Sequence, residues 1–160
     1  MKELLEILQS DCTITPENIA KKLNLDTDTV KEKIKELEEN GIIAGYQAVI
    51  NWDKFDTESA PTVFIELKIA PQAGKGFDRI AERICQFPQV KTVYLMSGGY
   101  DLFVSVQGES MKEVALFVAE KFATLEGVTS TTTHFILRKY KEDGFMLNTT
   151  DDDNRQVITL

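Results

Sequence analysis

Residues 15–46, TPENIAKKLNLDTDTVKEKIKELEENGIIAGY, carry the pattern from which the rest of the chain can be laid out. Thr15-Pro16-Glu17 is a helix start: a hydroxyl to cap free amides, a proline suited to the first helical position, and an acid that complements the dipole. Ile19, Ala20 and Leu23 give that helix an inner face, and it stops at Asn24. Asp26 is a second cap. Val30, Ile34 and Leu37 follow at i, i+4 and i+7, the stripe of a further helix. Gly41 stands where a C-terminal glycine belongs. Two short helices meeting across a turn of about three residues form a helix-turn-helix. Upstream, Leu4, Leu5, Ile7 and Leu8 share one face of a first helix that fades at Ser10-Asp11. Downstream, residues 42–50 (IIAGYQAVI) read as a small hairpin or wing, so a winged helix-turn-helix is expected over 1–50. Residues 51–60 are polar and carry Trp52 and Phe55, which reads as a linker whose aromatics pin it to a neighbour.

The second half repeats itself weakly with a period of 38 residues: Ile80 matches Val118, Ile84 matches Phe122, Phe87 matches Leu125, and Val90 matches Val128. Each set ends a helix and begins a strand. The first unit runs from a strand at 62–70, where Val63, Ile65, Leu67 and Ile69 alternate, through a helix at 77–87 to a strand at 90–97. The second repeats this as 101–107, 110–124 and 128–140. The order strand, helix, strand, strand, helix, strand is the split βαβ, ferredoxin-like arrangement over 61–140: an antiparallel sheet with two helices on one face. The fold class expected for the chain is therefore α+β. No segment remains to cover the other sheet face. Phe64, Phe103, Ser105 and Val106 near it point to a partner subunit. In the tail, 141–160, Asp151-Asp152-Asp153 reads as a solvated loop, and residues 156–160 (QVITL) as a strand for a neighbouring sheet edge or a frayed end.

The 160 residues are 42% hydrophobic and 28% charged, an ordinary globular balance. No apolar run approaches the ~20 residues of a membrane span. The start alternates charged with apolar residues, unlike a secretory signal, so a cytoplasmic protein is expected. Cys12 and Cys85 have no metal-ligand or disulfide-framework spacing. His134 is the only histidine, and it has no catalytic or metal-binding company. There is no paired acid/base arrangement and no phosphate loop, so no enzyme, metal or cofactor is expected. The net charge is −8, and it is uneven: residues 1–60 hold 7 Lys/Arg against 13 Asp/Glu, and residues 61–140 hold 9 against 8. The helix-turn-helix half is the acidic half, the reverse of the basic patch that nucleic-acid binding usually shows.

The run Ile19-Ala20-Lys21-Lys22-Leu23-Asn24-Leu25, leading into Val30, Lys33-Ile34, Leu37-Glu38 and Gly41-Ile42-Ile43-Ala44-Gly45-Tyr46, resembles the N-terminal signature of the Lrp/AsnC regulators. There the pattern is roughly L-G-L-S, then V-x-x-R-I-x-R-L-E-x-x-G-x-I-x-G-Y. Ser97-Gly98-Gly99-Tyr100-Asp101 resembles the small-residue turn of that family's ferredoxin-like effector (RAM) domain. Thr131, Thr133 and Ile136-Leu137-Arg138-Lys139-Tyr140 resemble its last strand. The resemblance covers residues 1–140. It implies a sequence-specific DNA-binding transcriptional regulator that dimerises through its sheet faces, assembles to octamers, and senses a small molecule, most often an amino acid, between RAM domains.

On that footing the third helix is the DNA reader, with Thr27, Thr29, Lys31, Lys33 and Lys35 as contacts and Lys21 and Lys22 on the preceding helix. Lys33 stands at one usual Arg position; Glu36 stands at the other and reverses its charge. The effector residues expected are Ser97, Gly98, Gly99, Tyr100, Asp101, Thr131 and Thr133. An α-amino acid needs donors for its carboxylate and an acceptor for its ammonium, and a Gly-Gly-x-Asp turn offers amides and one carboxylate. The same residues also suit a plain hairpin turn. The competing reading of the whole chain is a RAM-type sensor or protein-interaction module with little or no DNA binding.

Overall fold

The computed structural model describes residues 1–55, 61–70 and 76–147. The residues expected to form the rest of the linker (56–60) and the end of the tail (148–160, with the acidic run and the QVITL segment) lie outside the described residues. The chain divides into two compact units, Met1–Ile50 and Asn51–Leu160.

The first unit holds α1 (Lys2–Ser10), α2 (Pro16–Leu23) and α3 (Thr27–Glu39). Its start signals act as their chemistry requires. The Thr15 hydroxyl accepts from the Asn18 amide, and one Asp26 carboxylate oxygen accepts from the amides of Asp28 and Thr29. Asn24 closes α2 in the left-handed conformation, and Gly41 takes φ +66 just beyond α3, where a Cβ would be strained. Leu4, Leu8, Ile19, Ala20, Val30 and Leu37 form one buried cluster. The expected hairpin over 42–50 is not formed: residues 44–50 run without strand pairing. A hairpin needs a second strand and a turn between. Here the one glycine, Gly45, comes too early in the segment to fold it on itself. Instead the Tyr46 hydroxyl donates to Glu38 of α3 at 2.9 Å.

The second unit opens with a four-residue helix, α4 (Trp52–Phe55). It continues as β1 (Thr62–Ile69), α5 (Gly76–Cys85), β2 (Val90–Leu95), β3 (Leu102–Gln107), α6 (Met111–Phe117) and β4 (Val128–Phe135). The sheet order is β2-β3-β1-β4, and every neighbouring pair is antiparallel. This is the βαββαβ arrangement. Two-residue strands β5 (Lys141–Glu142) and β6 (Phe145–Met146) form a small separate hairpin within the expected tail.

Alternation decides the core. Val63, Ile65, Leu67 and Ile69 of β1 and Leu102, Val104 and Val106 of β3 all face Ile80 and Ile84 of α5 and Val114, Val118 and Phe122 near α6. Val106 therefore does not belong to the open face: adjacent residues of a strand point to opposite sides, and Ser105 already points there. The 38-residue repeat is visible in the hydrogen bonds. Phe87 N–H donates to Ile84 and Val90 N–H to Phe87; thirty-eight residues later Leu125 N–H donates to Phe122 and Val128 N–H to Leu125. The two halves differ in one respect. The second helix, expected as one piece over 110–124, leaves α geometry at Val118 and runs as a π-helix to Phe122, with Ala123 N–H donating to the Val118 carbonyl. Five residues along an α-helix turn about 140° past a full revolution. The wider turn returns Phe122 toward Phe117, 5.1 Å away between centroids, so that the two rings meet Phe87 at 6.0 and 5.4 Å.

Because Phe122 is wholly buried in that aromatic cluster, truncation to alanine removes contacts on several sides at once. Phe122→Ala is expected to destabilise the second unit by about 3–5 kcal/mol, read as a lowered urea midpoint. An unchanged midpoint would show that the π-turn carries no packing role.

Candidate functional site

Helix α3 exposes charge of both signs. Successive residues rotate by about 100°, so Lys31 and Lys35 lie on one flank of the Val30/Ile34/Leu37 stripe, and Thr29 and Lys33 on the other. The lysines of α3 thus do not share a face. Lys31 lies 3.8 Å from Glu17 of α2 and 3.9 Å from Asp28, and Lys35 lies 3.6 Å from Glu39. Lys33, Thr27 and Thr29 are half-buried; Lys21 and Lys22 are exposed in the last turn of α2. Diametrically opposite the buried stripe stand Asp28, Glu32 and Glu39, with Glu36 beside them. The Glu32 and Glu36 carboxylates have no ion-pair or hydrogen-bond partner among the described residues. Glu32 is not among the residues expected to contact DNA, although helical rotation places it on this outward side.

The α2 end is held by carboxylates. Hydrogen bonds from its own amide and from Thr15 keep the Glu17 carboxyl below the usual range, with Lys31 and Lys21 adding attraction. Asp11 is lowered by the Thr13 hydroxyl at 2.6 Å and the Thr13 amide at 2.9 Å.

In the second unit Ser97, Gly98 and Gly99 are exposed between β2 and β3, with Tyr100 and Asp101 half-buried. Gly98 takes φ +145 and nothing lies within 4 Å of where its Cβ would be. The turn is stapled to the neighbouring strand. Asp101 Oδ2 accepts from the Ile69 amide at 2.7 Å, and the Asp101 amide donates to the Leu67 carbonyl at 2.9 Å. The amides of Gly98, Gly99 and Tyr100 have no protein acceptor among the described residues. Thr131 and Thr133 stand opposite Leu67 and Ile65, on the face that carries the helices. Because β1 lies between β3 and β4, one chain gathers Ser97–Asp101 into a single turn and leaves the two threonines a strand away.

The sheet face without helices carries rings and a histidine–glutamate contact. Tyr94 and Phe103 stack at 6.3 Å, and Phe103 meets Phe64 at 5.0 Å. His134 Nε2 lies 3.2 Å from Glu66 Oε1. Among the described residues no group of three or more His, Cys, Asp or Glu is placed to hold a metal, and no helix is long and apolar enough to cross a membrane.

Two family models match the chain: the Lrp/AsnC ligand binding domain over residues 62–146, and a winged helix-turn-helix DNA-binding module over 1–44. An uncharacterised HTH-type transcriptional regulator of Bacillus subtilis, YugG, is 48% identical over 157 residues, covering 98% of this chain and 95% of that protein. The HTH-type transcriptional regulator FL11 of Pyrococcus furiosus is 30% identical over 141 residues, covering 88% and 89%. Among solved structures, an AsnC family regulator of Agrobacterium tumefaciens matches with TM-score 0.67 at 27% identity, covering 88% of this chain and 90% of that one. The Neisseria meningitidis regulator NMB0573, solved as an L-Met complex, shares the fold at TM-score 0.68 and 21% identity, covering 91% and 93%.

Since the Glu17 and Asp11 carboxyls are held below their ordinary values, the first unit gains stability from them above the usual carboxylate range. It loses that stability as pH falls through their folded values. Urea titrations followed from neutral pH to below pH 4 are expected to show a shallower acid loss in Glu17→Gln than in the parent chain. Equal slopes would remove Glu17 from the account.

Proposed function

The chain belongs to the Lrp/AsnC family of transcriptional regulators, and we propose that its α3 lies in the DNA major groove while the Ser97–Asp101 turn holds an amino-acid effector. The observation that carries the effector reading is the turn itself. The free amides of Gly98, Gly99 and Tyr100 suit a carboxylate, and Asp101, with Oδ2 given to Ile69, keeps its second oxygen for an ammonium group. The L-Met bound by the Neisseria relative supports an amino acid as the class. Thr131 and Thr133 enter such a site from another copy rather than from the same chain. The open sheet face, with Tyr94, Phe103 and Phe64, suits pairing with a second copy. On this reading residues 1–50 bind DNA, 51–60 link, 61–140 sense and assemble, and the protein works in the cytoplasm.

The DNA half of the reading rests on Lys21, Lys22, Thr27, Thr29, Lys31, Lys33 and Lys35. In the free protein Lys31 and Lys35 are matched to carboxylates of the first unit, so each copy adds few phosphate contacts. Affinity then comes from several copies acting together.

Light scattering followed by mobility shift on the protein's own upstream DNA tests assembly and binding together. A dimer or larger species that shifts DNA at low salt and releases it steeply as salt rises is expected; no shift at micromolar protein would favour the sensor-only alternative.

Calorimetry with the twenty amino acids tests the turn. Asp101→Asn keeps an acceptor for the Ile69 amide but removes the charge. It is expected to weaken effector binding by about tenfold or more with stability little changed. A flat response of the parent chain to all twenty would reduce the turn to a hairpin connection.

A further inference from the structure

We propose that Glu32 is a base-reading residue that fixes operator sequence, its carboxylate accepting a hydrogen bond from the N4 amino group of a cytosine in the major groove. The inference rests on the reading of α3 as the helix that enters the groove. Three observations converge on this side chain. Glu32 is the sixth of the thirteen residues of α3, so it lies in the half of the helix that reaches base edges in helix-turn-helix docking. It stands diametrically opposite the buried Val30/Ile34/Leu37 stripe, which aims it at the groove floor when the flanks meet the phosphate walls. It is exposed and has no partner among the described residues, whereas Lys31 and Lys35 on the neighbouring flank are already matched by Glu17, Asp28 and Glu39.

The chemistry then narrows the base. An ionised carboxylate only accepts hydrogen bonds. In the major groove guanine offers two acceptors, N7 and O6, which repel it. Adenine offers the N6 amino group beside the N7 acceptor, so the second carboxylate oxygen is opposed. Thymine offers an acceptor and a methyl group. Cytosine offers an amino donor with no acceptor of its own beside it, and it is the base that carboxylates read. The acidity of α3, unfavourable toward phosphate, thus acts as discrimination: the wrong base leaves a desolvated carboxylate unpaired.

Selection of binding sites from randomised duplex DNA by the full chain tests this, run for the parent and for Glu32→Gln, Glu32→Ala and Glu36→Gln. Glu32 is exposed and outside the buried cluster, so these variants are expected to fold. The parent pool is expected to show cytosine at one position in each half-site, preferred about tenfold or more over the other bases. Glu32→Gln should move that position toward adenine, because a carboxamide offers both a donor and an acceptor. Glu32→Ala should leave it degenerate, and Glu36→Gln should retain the cytosine. The proposal is overturned if Glu32→Ala binds every sequence more tightly with the base preference unchanged, since Glu32 would then act only as a repelling charge. Loss of the cytosine in Glu36→Gln rather than in Glu32→Gln overturns it too. If the parent chain itself enriches no sequence, the recognition-helix reading falls along with it.

Discussion

Strand β1 is the member on which the second unit hangs. It lies between β3 and β4, pairs with both, and sends Val63, Ile65, Leu67 and Ile69 into the helix layer. Because the side-chain period is two, this one choice of face sets everything on the far side. Phe64, Glu66 and Lys68 must look outward, beside Phe103 of β3 and His134 of β4. The end of the same strand supplies the Leu67 carbonyl and Ile69 amide that fasten Asp101, so core, open face and the Ser97–Asp101 turn share one anchor. Slipping β1 by a residue would invert the sheet and release the turn together.

The first unit is organised differently, by caps and charge rather than by a central strand. Thr15, Asp26, Asn24 and Gly41 set the helix limits. Lys2, Lys31 and Lys35 on its surface are ion-paired within the unit, and the solvent side of α3 carries Asp28, Glu32, Glu36 and Glu39. Such a surface has little long-range attraction for a polyanion. On the proposed reading, discrimination and copy number do what net charge does in basic DNA binders.

Much of this was legible from local rules. Caps, stripes and strand alternation are set by residues within a few positions of one another, and the caps and stripes of the first unit and the alternation of β1 appear where their patterns predict; the last strand, expected over 128–140, ends at Phe135, and residues 136–140 pair with no strand. The 38-residue repeat held down to individual amides. The features that escaped are non-local or geometrically finer. Asp101 reads as an acceptor in either role, but nothing near it in the chain announces Ile69, thirty-two residues away, as its donor. Residues 42–50 have the composition of a wing, yet pairing needs a partner strand that the segment does not contain. The π-turn leaves no periodic trace, since Val118 and Phe122 suit an α-helix equally well. Val106 belongs with the core rather than with the open face expected for it, as the alternation of β3 dictates. On α3 the lysines stand out in the sequence by the phosphate attraction of their charge, whereas the outward position of Glu32 follows only from helical rotation.

The central position of β1 also carries a cost in time. It leaves the ribosome first among the strands, but its neighbours β3 and β4 arrive much later: Val63 waits for Val106 and then for Phe135. Until then an alternating apolar strand stands with both edges unpaired, and the loops that must close around it are long. The nascent unit therefore passes through an interval in which the strand at the centre of its sheet is its least protected. Helix formation in the first unit, being local to that unit, does nothing to shorten that interval.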